Sequence, residues 1–229
     1  LEEITKKSLS KFGVEIRALD TASDYAPAYP HGNKILACAE PRQSDFCLFM
    51  DTDMIFVRPT NLGPLFEADG FCGARETNAR WAGELELWDR LYANNAPDAP
   101  RDLAVFSNGR LAPAYYNAGF FGFDDRPIAA RNQQRFGEVW RDVSYQIDAD
   151  PEISEKRPFL DQISLPVAVG ACGLTATELS SDYNTHTRFE SDSGPSVRVL
   201  HYHSNIHGHM LRESRYIGLL NQILFHYNV

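Results

Sequence analysis

The sequence predicts an α/β fold in which helices flank a mixed, mostly parallel central sheet. Helix-like and strand-like segments alternate along the chain, and residues 46–59 (FCLFMDTDMIFVRP) contain the apolar run typical of a strand that is covered on both faces. The 229 residues, 43% of them hydrophobic, suffice for one buried core. Because no repeat or linker divides the chain, we expect a single domain over residues 1–229.

The first elements follow a helix, strand, helix, strand order. Residues 1–13 have the pattern of an amphipathic helix that ends at Gly13, and the alternation in VEIRAL predicts a strand at residues 14–19. After a loop rich in proline and aspartate we expect a helix at residues 33–40, followed by the apolar strand that Pro59 terminates.

The rest of the chain continues this alternation. The apolar patterns of strands occur at residues 70–76 (GFCGARE), 114–124 (AYYNAGFFGFD) and 196–205 (SVRVLHYHSN). Helical spacing of apolar residues occurs at residues 81–95 (WAGELELWDRLYANN), 127–147, 160–173 (LDQISLPVAVGACG) and 210–228.

The charge and the cysteines limit the classes of function. A net charge of −9 argues against a nonspecific grip on nucleic acid or on an anionic membrane surface. No apolar run approaches the roughly 18 residues of a transmembrane segment, and no signal-peptide pattern is present. The four cysteines form no C-x-x-C pair, so we expect reduced thiols and a cytoplasmic protein.

Two aspartates, Asp51 and Asp53, interrupt the apolar run of residues 46–59. Side chains at positions i and i+2 of a strand point to one face, so the two carboxylates can converge on one cation. Like charges at this distance need a divalent metal ion or a hydrogen-bonding loop when they are buried. The alternative is that both acids begin a loop and face solvent.

Further stretches occur in a fixed order around this D-x-D motif: NKILACAE, GFCGARE, YYNAGFFGF, FLDQISL and VRVLHYHSNIHGH. Together they resemble the nucleotide-sugar glycosyltransferases of the GT-A (Rossmann-like) fold, particularly the glycogenin and lipopolysaccharide galactosyltransferase family, family 8. In that family the D-x-D binds manganese, which bridges the two phosphates of a UDP-sugar. The resemblance implies that Asp51 and Asp53 bind Mn²⁺, or Mg²⁺, and that Asp51 also contacts the donor.

The same resemblance implies roles for three donor-binding side chains. Lys34 stands where the family more often has an arginine that reaches the donor, so a bidentate contact would become a point charge. Glu76 matches an acid near the donor sugar. Asn117 matches the asparagine that contacts the transferred sugar. Each of these residues also has a purely structural alternative, such as a turn-forming role for Asn117.

Asp161 and Gln162 match the family's Asp-Gln pair at the reactive face of the sugar, although Ser164 departs from the pattern that follows. The resemblance implies that Asp161 binds the donor and that both residues are catalytic. Whether Gln162 is a nucleophile, a stabiliser or a positioning group stays open. Retention of the anomeric configuration is likewise implied by the resemblance alone.

The histidine-rich stretch completes the proposed site. His201 falls where the family has its third metal ligand, and His203, which alternation places on the same strand face, is its competitor. His207 falls at the family's diphosphate-binding lysine. A neutral imidazole holds phosphate less strongly than an ammonium group does.

These observations favour a metal-dependent hexosyltransferase that uses a nucleotide-diphosphate sugar, with UDP preferred, and a carbohydrate, lipid-linked or protein acceptor. GT-A proteins begin with a strand that receives the base, and the chain starts within the helix that follows, so we expect this strand to be missing. The alternative is that the base is held differently. One alternative is a GT-A-like domain that binds carbohydrate or protein without turnover. Another is a haloacid dehalogenase-like phosphatase with Asp51 as nucleophile and Asp53 as acid/base, for which only Asp124 and Asp125 offer the later acids.

Overall fold

A computed structural model describes residues 3–21, 23–66, 70–186 and 196–201 as a mixed α/β structure. The helices are α1 (Glu3–Lys11), α2 (Asn33–Ala39), α3 (Gly63–Phe66), α4 (Leu85–Asn95), α5 (Phe136–Ala149) and α6 (Leu160–Ala171). The strands are β1 (Phe46–Met50), β2 (Met54–Phe56), β3 (Gly70–Arg75), β4 (Leu103–Val105), β5 (Leu111–Pro113), β6 (Tyr116–Asp124), β7 (Thr175–Leu179), β8 (Thr185–His186) and β9 (Val199–His201).

The main sheet has the strand order β1-β6-β3-β7. Strand β6 is antiparallel to both β1 and β3, whereas β3 and β7 are parallel. Three of the four strands therefore run in one direction, which confirms the predicted mixed sheet. Because β6 runs the other way, it begins at the edge of the sheet where β1 and β3 end. This edge collects the polar side chains described below.

Strands β2, β9 and β8 form a second, smaller sheet, and its strand β2 follows β1 along the chain. Strand β9 pairs antiparallel with β2, with Met54 opposite His201, and parallel with β8, with His186 opposite His201. This register carries a histidine from the end of the described chain to the segment that follows β1.

The core lies between the main sheet and the helices α2, α5 and α6. Strand β6 is buried over nearly its whole length, since its apolar residues meet neighbours on both faces. Phe121 is fully buried and its ring packs edge-on against Trp140 of α5, at a centroid distance of 5.4 Å. The Trp140 indole donates to Ser164 Oγ of α6 at 2.8 Å. Trp140 of α5 therefore contacts both the main sheet and α6 inside the core.

Three sequence-based predictions need correction. Residues 14–19 have no regular secondary structure and form no strand, because both Val14 and Ile16 are more than 40% exposed and no neighbouring strand in the described chain pairs with them. The run at residues 46–59 is two strands, since the backbone turns between them. The helix expected at 127–147 begins only at Phe136, because Asn132 and Gln133 have positive φ angles of 52° and 66°.

Other elements follow the predicted order. Gly13, at φ 68°, lies just beyond the end of α1 as predicted, and the helices α2, α4 and α6 and the strands β3, β6 and β9 occur in the expected segments. The strands β4, β5, β7 and β8 were not predicted, because they are short and their apolar pattern is weak. The helix expected at 210–228 lies outside the described residues.

Candidate functional site

The two acids of the D-x-D motif lie in a turn rather than within a strand. Asp51 directly follows β1 and Asp53 directly precedes β2, and the Met54 amide donates to the Asp51 carbonyl at 3.3 Å across the turn. The Asp51 amide donates to the carbonyl of Gly119 on β6 at 2.7 Å, which fixes the turn against the main sheet. Both side chains are half-buried, so they do not simply face solvent, as the alternative in the sequence analysis expected.

His201 is brought to these acids by the pairing of β9 with β2. Its side chain is buried, and its Nε2 lies 3.4 Å from Asp53 Oδ1. One ligand atom from each of Asp51, Asp53 and His201 can be chosen so that all three lie within 4.8 Å of one another. The three residues could therefore hold a metal ion.

The donor set suits a particular kind of metal. Two carboxylate oxygens and one imidazole nitrogen are the ligands that hard to borderline dications such as Mn²⁺ and Mg²⁺ accept, whereas soft ions prefer thiolates. In the described chain no cysteine joins this group. The residues present thus fit a divalent metal cation.

The other imidazole nitrogen of His201 has a partner of its own. His201 Nδ1 lies 3.0 Å from Oδ1 of Asn184, a buried side chain that follows a short turn of 3₁₀-helix at Ser181–Tyr183. The Asn184 amide nitrogen lies 3.1 Å from His186 Nε2, and the rings of His186 and His201 lie 5.1 Å apart. Asn184 and His186 thus lie behind the candidate ligand His201, on the side away from Asp53.

Lys34 of α2 places its ammonium group among the acids. Its Nζ lies 3.0 Å from Asp51 Oδ2 and 3.2 Å from Asp161 Oδ2, and it donates to the Ala118 carbonyl at 3.2 Å. Burial alone would lower the pKa of Lys34, but Asp161 and Asp51 raise it overall, so the group stays charged. Burial raises the pKa of Asp51, and Lys34 counteracts part of this increase.

Asp161 and Gln162 occupy the first turn of α6. The Tyr29 hydroxyl donates to Asp161 Oδ1 at 2.8 Å and accepts from the Asp161 amide at 3.1 Å, so this buried carboxylate is held on two sides, by Tyr29 and by Lys34. The Tyr115 hydroxyl donates to Gln162 Oε1 at 3.1 Å. Both side chains predicted to be catalytic are therefore oriented by buried tyrosines.

Asn117 and Glu76 form one pair at the edge where β6 begins and β3 ends. The Asn117 amide nitrogen donates to Glu76 Oε2 at 2.7 Å, and its oxygen accepts from the Gly119 amide at 2.8 Å. Glu76 Oε1 accepts from the Thr77 amide at 3.0 Å. The pair presents a fixed carboxylate and amide, groups that bind sugar hydroxyls well.

Gly119 allows these groups to approach one another. A Cβ atom at this position would lie 2.8 Å from Asn117 Oδ1, 3.1 Å from Asp51 Oδ2 and 3.1 Å from His201 Cε1. The first separation is too short for a real Cβ contact and the other two are tight, so a larger residue would force these side chains to shift. The glycine of the N-A-G stretch is thus the point where β1, β6 and β9 meet.

The structure brings most of the predicted site residues into one connected group: Lys34, Asp51, Asp53, Glu76, Asn117, Asp161, Gln162 and His201. His203 and His207 lie outside the described residues. Sequence reasoning missed Tyr29, Asn184 and His186, and did not recognise the steric role of Gly119. The N-x-H pair at 184–186, which follows the turn-forming S-S-D, was the available signal for two of them.

No helix in the described parts of the chain combines the length and apolarity needed to cross a membrane. A family model described as "Rhodobacterales glycosyltransferase domain" matches residues 1–173. The search of curated proteins gives no match. Among solved structures, the chain is similar to the crystal structure of mouse xyloside xylosyltransferase 1 in its apo form. The TM-score is 0.43, the identity 15%, and the match covers 87% of this chain and 71% of that one.

Proposed function

Because the chain belongs to the Rhodobacterales glycosyltransferase domain family, we propose that it moves a hexose from a UDP-sugar to a carbohydrate, lipid-linked or protein acceptor with the help of a divalent cation. The observation that carries this proposal is the convergence of Asp51, Asp53 and His201. Asp51 and Asp53 come from one turn and His201 from a strand distant in sequence, and together they offer one set of ligands. A domain that only bound carbohydrate would have little use for residues that hold a cation able to bind diphosphate.

Asp51, Asp53 and His201 would hold Mn²⁺, or alternatively Mg²⁺. When bound there, the ion would act as a Lewis acid and neutralise the charge that develops on the departing nucleoside diphosphate. Lys34 adds a fixed positive charge beside the same acids. Because its ammonium is held by Asp51 and Asp161, we assign it to orienting those carboxylates as well as to stabilising the donor. His207 is proposed as a further diphosphate contact.

The sugar would lie against four side chains beside the metal ligands: Asn117, Glu76, Asp161 and Gln162. Asn117 and Glu76 would bind its hydroxyl groups through the amide and the carboxylate that they already hold in place. Asp161, fixed by Tyr29, and Gln162, fixed by Tyr115, would face the anomeric carbon. Retention of configuration is part of the proposal, and it calls for a group such as Gln162 on that face of the sugar.

The phosphatase alternative depends on Asp124 and Asp125, and these two acids lie away from the D-x-D turn. Asp124 pairs across the sheet with Phe46, at the start of β1, so it lies at the opposite end of that strand from Asp51. Asp124 is bound by Arg126, and Asp125 is buried beside Arg42 and Arg135. Neither acid can assist chemistry at the D-x-D turn, which agrees with membership of a glycosyltransferase family.

The proposal is tested by combining metal, nucleotide and donor. We expect UDP to raise the melting temperature of the wild-type chain only when Mn²⁺ is present, and Asp53→Ala to abolish this increase. Asp98→Ala, at an exposed acid outside the group, serves as the control and should respond like the wild type. Release of UDP from one member of a panel of UDP-sugars would establish turnover. Equal stabilisation of Asp53→Ala and wild type would contradict the assigned site.

A further inference from the structure

Asn184 connects two histidines in the interior of the site. Its side chain is only 5% exposed, and its oxygen and nitrogen lie 3.0 Å from His201 Nδ1 and 3.1 Å from His186 Nε2, respectively. The opposite nitrogen of His201, Nε2, faces Asp53. The ring of His201 therefore lies between a candidate metal partner and an asparagine.

The chemistry of a primary amide determines where the proton of His201 lies. An amide oxygen only accepts hydrogen bonds, so His201 Nδ1 must carry a proton to make the 3.0 Å contact. In a neutral imidazole the lone pair is then on Nε2, the atom directed towards Asp53. A metal ligand needs this lone pair.

The orientation of the amide also sets the role of His186. The Asn184 amide nitrogen only donates, so His186 Nε2 must accept at this contact. Glu76 Oε1 lies 4.0 Å from the same nitrogen, which is beyond hydrogen-bond distance. If the amide were reversed, its NH₂ group would face His201 Nδ1 and drive the proton to Nε2, where it would block a cation.

The backbone holds this arrangement in register. His186 pairs with His201 across the parallel strands β8 and β9, and the Arg198 amide donates to the Asp182 carbonyl at 2.9 Å just before them. The Thr185 hydroxyl donates to the Ser181 carbonyl at 3.1 Å. The turn that carries Asn184 is therefore attached to the same strand that carries His201.

We propose that Asn184 is a positioning residue that keeps His201 in the Nδ1-protonated tautomer, while its amide nitrogen donates to His186. The lone pair of His201 Nε2 is then directed into the space shared with Asp51 and Asp53. The benefit for a cation rests on the proposed function, but the tautomer itself can be observed without any metal. Hydrogen bonds of this kind behind a ligating histidine typically contribute 10- to 100-fold to metal affinity.

Two measurements on the full chain test this proposal. The first is the long-range ¹H–¹⁵N spectrum of the His201 ring without metal, which distinguishes the two neutral tautomers. We expect the Nδ1-protonated form in the wild type and in Asn184→Asp, which keeps the acceptor oxygen, and a substantial fraction of the Nε2-protonated form in Asn184→Leu. Asn95→Leu is the matched control, because Asn95 is another buried asparagine, bonded to the Leu91 carbonyl of its own helix.

The second measurement is Mn²⁺ affinity, from the loss of the free-ion signal in electron paramagnetic resonance. We expect Asn184→Leu to weaken binding by about 10- to 100-fold, while Asn184→Asp and Asn95→Leu stay within about threefold of the wild type. An unchanged tautomer or unchanged affinity in Asn184→Leu would overturn the proposal. Wild-type protein that binds no Mn²⁺ would overturn the proposed function instead, and the tautomer spectrum would still decide the role of Asn184.

Discussion

The ammonium nitrogen of Lys34 lies 3.0 Å from Asp51 Oδ2, so the first acid of the D-x-D turn already has a positive partner. The same nitrogen lies 3.2 Å from Asp161 Oδ2, where α6 begins. One lysine on α2 therefore connects the candidate metal ligands to the acid expected at the sugar. The aspartates would otherwise repel one another in surroundings that exclude most water.

Replacing this lysine tests the connection. Lys34→Met should lower the free energy of unfolding by about 2 to 3 kcal/mol, because it leaves Asp161 and Asp51 partly buried without their partner. The loss is measured by urea denaturation at pH 7. Adding Asp161→Asn to Lys34→Met should recover part of it, since one of the two stranded charges is then gone. If the single variant were as stable as the wild type, the ion pairs would contribute nothing measurable.

The pH dependence of stability provides a second test of Lys34. Its pKa is raised above the usual 10.5, so its contribution to stability is fully present below that pH and is lost as the pH rises through the higher value of the folded state. The difference in unfolding free energy between wild type and Lys34→Met should therefore be constant from pH 7 to about pH 10 and shrink in more alkaline buffer. A difference that grew above pH 10 would contradict the assigned ion pairs.

Gly119→Ala is expected to disturb the site more than the fold. The new methyl group would crowd Asn117, Asp51 and His201, so we expect Mn²⁺ affinity to fall at least tenfold and the unfolding free energy to fall by about 1 to 3 kcal/mol. Gly73→Ala is the matched control, because the atoms nearest to its methyl group would belong to the rings of Phe71 and Tyr116 and not to the candidate metal ligands. Equal metal affinity in the two variants would show that crowding at Gly119 does not reach the ligands.

Asn117→Asp should place a carboxylate against Glu76 in place of the 2.7 Å hydrogen bond. We expect a loss of about 1 to 3 kcal/mol in unfolding free energy, from repulsion and the lost donor, and a fall of at least tenfold in sugar transfer. The second change Glu76→Gln supplies a donor and should restore stability. Activity is not expected to return with it, since the amide and the carboxylate have exchanged places. Full recovery of activity in the double variant would contradict the separate roles assigned to Asn117 and Glu76.

Ser164→Ala tests whether a change in α6 can lower stability without changing metal affinity. Ser164 Oγ accepts from the Trp140 indole at 2.8 Å and donates to the Leu160 carbonyl at 2.7 Å, all within the core. Its removal should reduce the unfolding free energy by about 1 to 2 kcal/mol and leave Mn²⁺ affinity unchanged. A large loss of metal binding would show that the loss of this hydroxyl also disturbs the metal ligands. The measurements are chemical denaturation and a metal titration of the same preparation.

The sequence was sufficient where a local pattern fixed the result. The helix before Gly13 and the apolar strand β6 follow from periodicity and from glycine alone. Asp51 and Asp53 could be selected because two acids interrupt an apolar run. The choice of His201 rested on the resemblance, which places the family's third metal ligand at this residue after a short apolar strand, and the structure places that histidine 3.4 Å from Asp53.

The rest depended on contacts between distant segments. Val14 and Ile16 alternate as a strand would, but nothing in a local pattern reveals that neither side chain finds a neighbour to cover it. Asn184 lies in a polar turn without periodicity, and its importance becomes visible only when β8 and β9 pair. A steric role for Gly119 likewise requires three strands to be in place at once.

Lys34 also has a consequence for how such a protein would be handled. Because an internal ammonium group partly balances the acids, the polypeptide should not need a dication to stay folded. Treatment with a chelator should then abolish sugar transfer without unfolding the chain, and adding the ion back should restore the activity. The same preparation could be stripped and reloaded with one metal after another, which would allow the ions to be ranked on a single scaffold.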